Sequence, residues 1–305
     1  METKSNDLIR KIQSSMPSFS KGQKLIANFI INHYGKAAYM TAARLGEEVG
    51  VSESTVVRFA SEIGFDGYPK LQKVLKELIK SKLTSVQRME VSSNRISEDN
   101  IIKSVLQSDM EKIKLTLEDI DTSTFNNAVE SILNARKIYI LGVRSSAPLA
   151  SFLGFYFNLI FDNVRLVHTT SVSEMFEQII YASENDVVIG ISFPRYSKRT
   201  INALRFGKRR GATVISITDS LESPLAQYSD HSLIARSDMA SFVDSLVAPL
   251  SVINALIVAI GIRKKNHVYD VFENLEKIWE EYQVYEKHDE HNEHNEAVTQ
   301  KETDI

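Results

Sequence analysis

Over the first eighty positions, apolar residues recur every three or four places. In KGQKLIANFIINHY, residues 21–34, Leu25, Ile26, Phe29 and Ile30 fall on one side of a helix that Ser20 is placed to cap. TAARLGEEV and SESTVVRFASEI predict two shorter helices, and YPKLQKVLKELIKSKL predicts another. No β-rich run precedes residue 137. Residues 81–97 are polar and weakly periodic, as a linker is. The expected division is an all-α domain over 1–80, that linker, a second domain over 98–285 and a tail over 286–305.

Beyond the linker the period changes. A long amphipathic helix is predicted over 98–118, with Ile101, Ile102, Val105, Leu106, Met110, Ile113 and Leu117 on its apolar side, and another over 122–134. Five short apolar runs follow, KIYILGV, NVRLVHT, DVVIGISF, ATVISITD and HSLIAR, separated by stretches of helical length. That alternation predicts an α/β domain with a five-stranded parallel sheet flanked by helices. Ligands of such sheets gather at the carboxyl ends of the strands, so the ends of these runs are where chemistry is expected. Two helices, near 240–261 and 267–285, complete the body. The tail is charged and almost free of apolar residues, which predicts disorder.

Composition narrows the class. Hydrophobic residues make up 43% and charged residues 25% of 305, the balance of a soluble globular protein. The longest apolar run, LVAPLSVINALIVAIG at 246–261, is short for a membrane span and carries Pro249, Ser251 and Asn254, so it reads as a buried helix. The N-terminal METKSNDLIRKIQSSM lacks the apolar core of a signal peptide, and there is no cysteine, which fits the cytoplasm. The same lack excludes a disulfide framework, a cysteine nucleophile and a thiolate zinc site. Charge is uneven: residues 1–95 hold 15 Lys and Arg against 9 Asp and Glu, and the remainder 21 against 30. A basic front on an acidic body suggests that the first part meets a polyanion.

That front contains MTAARLGEEVGVSESTVVRFASEIGF, a short helix, Gly50, Val51, then a second helix capped by Ser52. The layout is that of a helix-turn-helix, with glycine permitting the turn and Ala43, Leu45, Val49, Val51, Val56, Val57 and Phe59 expected to lock the helices together. Ser52, Glu53, Ser54, Thr55 and Arg58 would then lie at the exposed start of a recognition helix, Arg58 being the best candidate for a guanine or phosphate contact. A plain helical hairpin with a solvated face would show the same pattern; the basic balance favours DNA.

In the second domain, two strand-to-helix turns stand out. YILGVRSSA carries Gly142, Arg144, Ser145 and Ser146, and GISFPRYSKRT carries Ser192, Arg195, Ser197 and Thr200. Hydroxyls, cations and free amides at a helix start suit a phosphate. Each serine could equally be a helix cap with nothing bound.

With these residues in view, positions 1–80 resemble the helix-turn-helix domain of the ribose-phosphate-isomerase regulator (RpiR) family, above all in GVSESTVVRFASEIGFDGYPKLQ. Residues from about 120 to 260 resemble the sugar isomerase (SIS) domain that this family carries, through GVRSSA, DVVIGIS, GATVISITD with SPLA after it, and Ser229–Asp230. The resemblance implies a transcriptional regulator that binds double-stranded operator DNA, senses a phosphorylated sugar or related anionic metabolite, and works as a homodimer without cofactor or metal. The usual SIS turns, Gly-x-Gly-x-Ser and Ser-x-Ser-Gly-x-Thr, map onto Gly142, Arg144 and Ser146, and onto Ser192, Pro194, Arg195 and Ser197. Two glycines have thus become Arg144 and Arg195. Guanidiniums supply bidentate, charge-assisted partners, which would suit a more anionic ligand such as a sugar-acid phosphate; alternatively they fill a vestigial pocket.

The same domain could belong to a sugar-phosphate isomerase. Such an enzyme needs a base, and Arg199 stands where an isomerase often keeps an acid. His168 and Glu174 are the remaining candidates, although His168 could be a satisfied, partly buried side chain. A pocketless interaction module is the third reading. His288, His291 and His294 in the tail have metal-like spacing but no apolar anchoring, and read as solvated. The attached DNA-binding pattern favours a sensor without catalytic residues.

Overall fold

A computed structural model describes residues 3–82, 100–168, 171–237 and 243–285. The expected linker beyond residue 82 and the tail with its histidines lie outside these residues.

Five helices form the N-terminal part: α1 (Thr3–Ser15), α2 (Lys21–Ala37), α3 (Ala42–Val49), α4 (Glu53–Glu62) and α5 (Tyr68–Lys82). Ser20 caps α2 in a reciprocal pair with Gln23, which satisfies two otherwise open backbone groups. Ile26, Ile30, Leu45, Val56, Phe59, Leu71 and Leu75 are buried together. Leu25, Ala43 and Val57, expected inside, are exposed. The cause is the same each time. The inward stripes run through Ile26–Ala27–Ile30, Ala42–Leu45–Gly46 and Val56–Phe59–Ala60, so a neighbour one residue away is turned by about 100°. Small residues, not the largest apolar ones, set the centre of each stripe. On α5, the Tyr68 hydroxyl donates to Ala37 O (3.1 Å) and Met40 O (3.0 Å), closing the open end of α2. Burial pushes its pKa up to about 12.

The second part runs α6 (Ile101–Asp119), α7 (Thr122–Leu133), β1 (Lys137–Gly142), α8 (Ala147–Ile160), β2 (Val164–Leu166), α9 (Val172–Ile179), β3 (Asp186–Ile191), α10 (Lys198–Arg209), β4 (Thr213–Thr218), β5 (His231–Ile234) and α11 (Val247–Arg263). The five strands form one parallel sheet in the order β2-β1-β3-β4-β5. Every residue of β3 is buried, as expected for a central strand covered on both faces. Gly190 gives Leu204 of α10 its seat, since a Cβ there would lie 2.6 Å from the leucine.

Two helices depart from their apolar patterns. α6 has the expected span but is inverted, with Lys112 and Thr116 buried and Ile102, Leu106, Met110, Ile113 and Leu117 exposed. Its polar side is held by hydrogen bonds. Arg236 N donates to Thr116 Oγ1 (2.8 Å), Ser245 Oγ to Asp109 Oδ1 (2.6 Å) and Lys112 Nζ to Ser108 Oγ (2.6 Å). α11, expected to be buried, is covered on one side by way of Ala248, Pro249, Val252, Ile253, Leu256 and Ile260, while Val247, Ala255 and Val258 are exposed. Among the described residues no single helix is long and apolar enough to cross a membrane. Residues from Gly261 onward form a separate unit with helix α12 (Lys265–Glu281), of which no residue is buried.

Candidate functional site

β1 and β3 pair along their whole length, Gly142 opposite Ile191. From β1 the chain crosses outward to β2 on one side and then returns to β3 on the other. This order has its switch point between β1 and β3, where the two connecting segments diverge and leave a crevice at the strand ends. The two turns singled out from sequence leave these two strands, so they open side by side there.

In the first turn, Gly142 is buried and its missing side chain is filled by protein: a Cβ would stand 2.4 Å from Ser146 O. Its glycine thus serves the return of the chain toward α8 rather than a ligand's approach. Arg144 is exposed with φ +58°, the left-handed region that glycine occupies without strain. The glycine of the usual SIS turn therefore has a conformational reason, and arginine takes the same backbone shape here. Ser145 is exposed, and Ser146 is buried without capping α8.

In the second turn, Ser192 is buried and its Oγ accepts from Ser197 N at 3.0 Å. Ser197 caps α10, its Oγ accepting from Thr200 N at 3.4 Å. Arg195 is exposed at the crest. Thr200 is fully buried among Ala203, Leu204 and Gly207 on the inner side of α10, so the structure does not bring it to the crevice rim; its Oγ1 has no hydrogen-bond partner. Sequence reasoning missed Tyr196 and Asp219. The Tyr196 hydroxyl donates to Asp219 Oδ1 (2.8 Å) at the end of β4, tying the turn's crest to the neighbouring strand. An acid directly after a strand in ATVISITD was the available signal.

The two candidate bases have other partners. Glu174 Oε2 accepts from Ser171 N (3.2 Å) while Ser171 Oγ accepts from Glu174 N (3.2 Å), a reciprocal cap on α9. His168 is exposed, and its backbone is held at both ends by the Gln178 amide, at 3.0 and 2.7 Å. Asp230, one of the residues that carried the resemblance, is structural. Burial pushes its carboxyl up, but bonds from Lys208 and Val214 N outweigh this and hold it below the usual carboxylate range.

On the N-terminal part, Gly50 takes φ +73° and ends α3 in the left-handed conformation. Gly46 lets the turn pack, because a Cβ would meet Val51 O at 2.6 Å. Ser52 caps α4 and also bonds the hydroxyls of Ser54 (2.9 Å) and Thr55 (2.8 Å). Glu53, Ser54, Val57 and Arg58 are exposed along one side of α4, and Thr55 is half-buried. The Arg58 Nε donates to Ser54 O (3.3 Å), which lays the side chain back toward the helix start.

Residues 6–82 match the family model for the helix-turn-helix domain of the rpiR family, and residues 131–259 match that for the SIS domain. An uncharacterized HTH-type transcriptional regulator of Caldanaerobacter subterraneus subsp. tengcongensis is 26% identical over 280 residues, covering 89% of this chain and 96% of its own. The sugar isomerase domain of the RpiR transcription factor from Sphaerobacter thermophilus superposes with a TM-score of 0.53 at 28% identity, over 57% of this chain and 96% of that one. The NanR protein of Vibrio vulnificus, solved in complex with ManNAc-6P, shares the fold with a TM-score of 0.53 at 21% identity, over 89% of this chain and 98% of its own.

Proposed function

The chain belongs to the rpiR family of helix-turn-helix transcriptional regulators that carry a SIS domain, and from that premise we propose that α4 binds operator DNA and that a phosphorylated sugar or related anion, held at the β1–β3 switch point, adjusts that binding. One observation carries the ligand half: two turns bearing hydroxyls and one exposed arginine each open next to each other at the crevice of the sheet. Ser145 and Arg144 on one side and Arg195 on the other are the groups free to reach an anion. Ser146, Ser192 and Ser197 shape the turns behind them, and Gly142 makes the first turn possible. Arginine in place of glycine trades close backbone approach for charge, so the ligand is read as carrying an anionic group besides its phosphate.

For the DNA half, Glu53, Ser54 and Arg58 are placed to reach base edges and backbone, and the exposed Val57 supplies an apolar contact suited to a thymine methyl. Ser52 and Thr55 hold the start of α4 in shape. A homodimer would present two such helices to a two-fold operator. The protein is read as a sensor rather than an isomerase, since both candidate bases are occupied in local structure or lie in the open.

The test is a thermal-shift screen of the full chain against phosphosugars, ManNAc-6P and sugar-acid phosphates among them. A ligand that binds only the folded state raises the midpoint with concentration. Arg195→Ala is expected to abolish the shift given by the best ligand while leaving the unliganded midpoint unchanged. No shift from any phosphorylated compound would overturn the ligand assignment.

A further inference from the structure

α6 presents its apolar side to solvent and its polar side to the protein. Ile102, Leu106, Met110, Ile113 and Leu117 are between 39% and 74% exposed, in an unbroken stripe at helical spacing. Turning the helix over would break the bonds from Arg236 to Thr116 and from Ser245 to Asp109, so the stripe is held outward. α11 is apolar on all sides, which suits a helix covered all round, yet Val247, Ala255 and Val258 are exposed. The outward positions of the two helices follow the same intervals. On α6 they are Ile102, Leu106, Met110 and Ile113; on α11 they are Val247, Ser251, Ala255 and Val258. The first row is of large side chains and the second mostly of small ones.

We propose that these faces form the interface with a second copy of this chain, the α6 ridge of each protomer seated along the small-residue row of α11 on the other. The inference rests on the dimeric reading above and names the surface that would make it. Three features select a second copy as the occupant. The ridge and the row complement each other in size at matching intervals, as packed helices require. Both occur on one chain, and neither covers the other, so a two-fold pairing buries both at once, each surface meeting its complement. The uncovered apolar area of the two faces is roughly 800 Å², the share one partner contributes to a standard interface and more than a monomer usually leaves open. The hydrogen bond from Ser245, just before α11, to Asp109 in the middle of α6 fixes the two faces relative to each other.

The chain has no cysteine, which gives cross-linking a clean background. Met110→Cys and Ala255→Cys chains carrying different tags are co-expressed without added phosphosugar or DNA and treated with a short bismaleimide. Covalent dimers joining the two variants are expected at tenfold or more over dimers of either variant with itself. Predominant Met110→Cys self-linking would overturn the pairing, as would sedimentation of the folded wild-type chain as a monomer at tens of micromolar. Leu106→Glu, at an exposed position, is expected to shift the wild-type dimer to monomer with an unchanged circular dichroism spectrum; a dimer that persists counts against the surface. Because no ligand or DNA is used, failure here leaves the sensing assignment untouched, and an unresponsive ligand screen leaves this interface standing.

Discussion

Arg144 holds a backbone conformation that side-chain-bearing residues adopt at a cost of roughly 1–2 kcal/mol. Such a residue persists where its side chain is useful, which here means a guanidinium at the rim of the crevice. Replacing it separates the two effects. Arg144→Ala keeps the strain and loses the charge; Arg144→Gly loses both. The glycine variant is expected to be more stable than the alanine variant by about 1 kcal/mol, since alanine is disfavoured at positive φ. Both should bind the anionic ligand at least tenfold more weakly, in line with the roughly 1.5–3 kcal/mol of a charge-assisted hydrogen bond. Denaturant melts and titration calorimetry on the pair decide it; equal stabilities would mean the strain is relieved elsewhere. Arg58 allows a similar separation on the DNA side. Arg58→Ala should weaken operator binding, and if the contact is to phosphate the log–log salt slope should flatten by about one unit. Unchanged affinity and slope in a salt-varied binding assay would remove α4 from the interface. Sequence identified both arginines, but it misassigned Gly142. A glycine at a turn signals a close approach without naming the neighbour, and here the neighbour is the carbonyl of Ser146.

At the scale of elements, α5 joins the N-terminal helices through a single hydroxyl. Tyr68 satisfies carbonyls of Ala37 and Met40, and Gln72 Nε2 adds a bond to Met40 O at 2.7 Å. Burial raises the Tyr68 pKa to about 12 from an unfolded value near 10. A raised pKa means the folded state favours the protonated phenol, so its contribution is complete below pH 10 and is lost as pH climbs toward 12. Urea melts of residues 1–82 within the full chain, followed by a local probe, should therefore show stability falling over that window. Tyr68→Phe is expected to cost about 1–2 kcal/mol at neutral pH through its unsatisfied carbonyls, and to flatten the alkaline decline. An unaltered decline would assign it to other groups. The helices and strands were legible in the sequence because each carries its own period. Which side of a helix faces inward was less so. Alanines took the centre of the stripes in α2, α3 and α4, and in α6 hydrogen-bonding partners on the body outweighed the apolar pattern. Neither effect resides in the helix's own sequence.

For the molecule as a whole, sensing requires that ligand and DNA prefer different arrangements of the same dimer. A ligand of equal affinity for both arrangements would shift nothing, however tightly it bound. Where the preferences differ, linkage makes the effect reciprocal: the factor by which ligand changes operator affinity equals the factor by which operator changes ligand affinity. A coupling of 1–3 kcal/mol corresponds to roughly 5–150-fold in each direction. The expected result is that ligand affinity, measured with and without saturating operator duplex, changes by the same factor as operator affinity measured with and without ligand. Unequal factors would show that a third equilibrium intervenes, and dimer assembly is the one to examine. Leu106→Glu provides that examination. If the α6–α11 faces hold the dimer, this variant should bind ligand at the intact switch point, bind a single half-site weakly, and show a coupling factor near one. Retained ligand binding together with lost coupling would place communication between the two ends of the chain in the pairing of copies rather than within either copy alone.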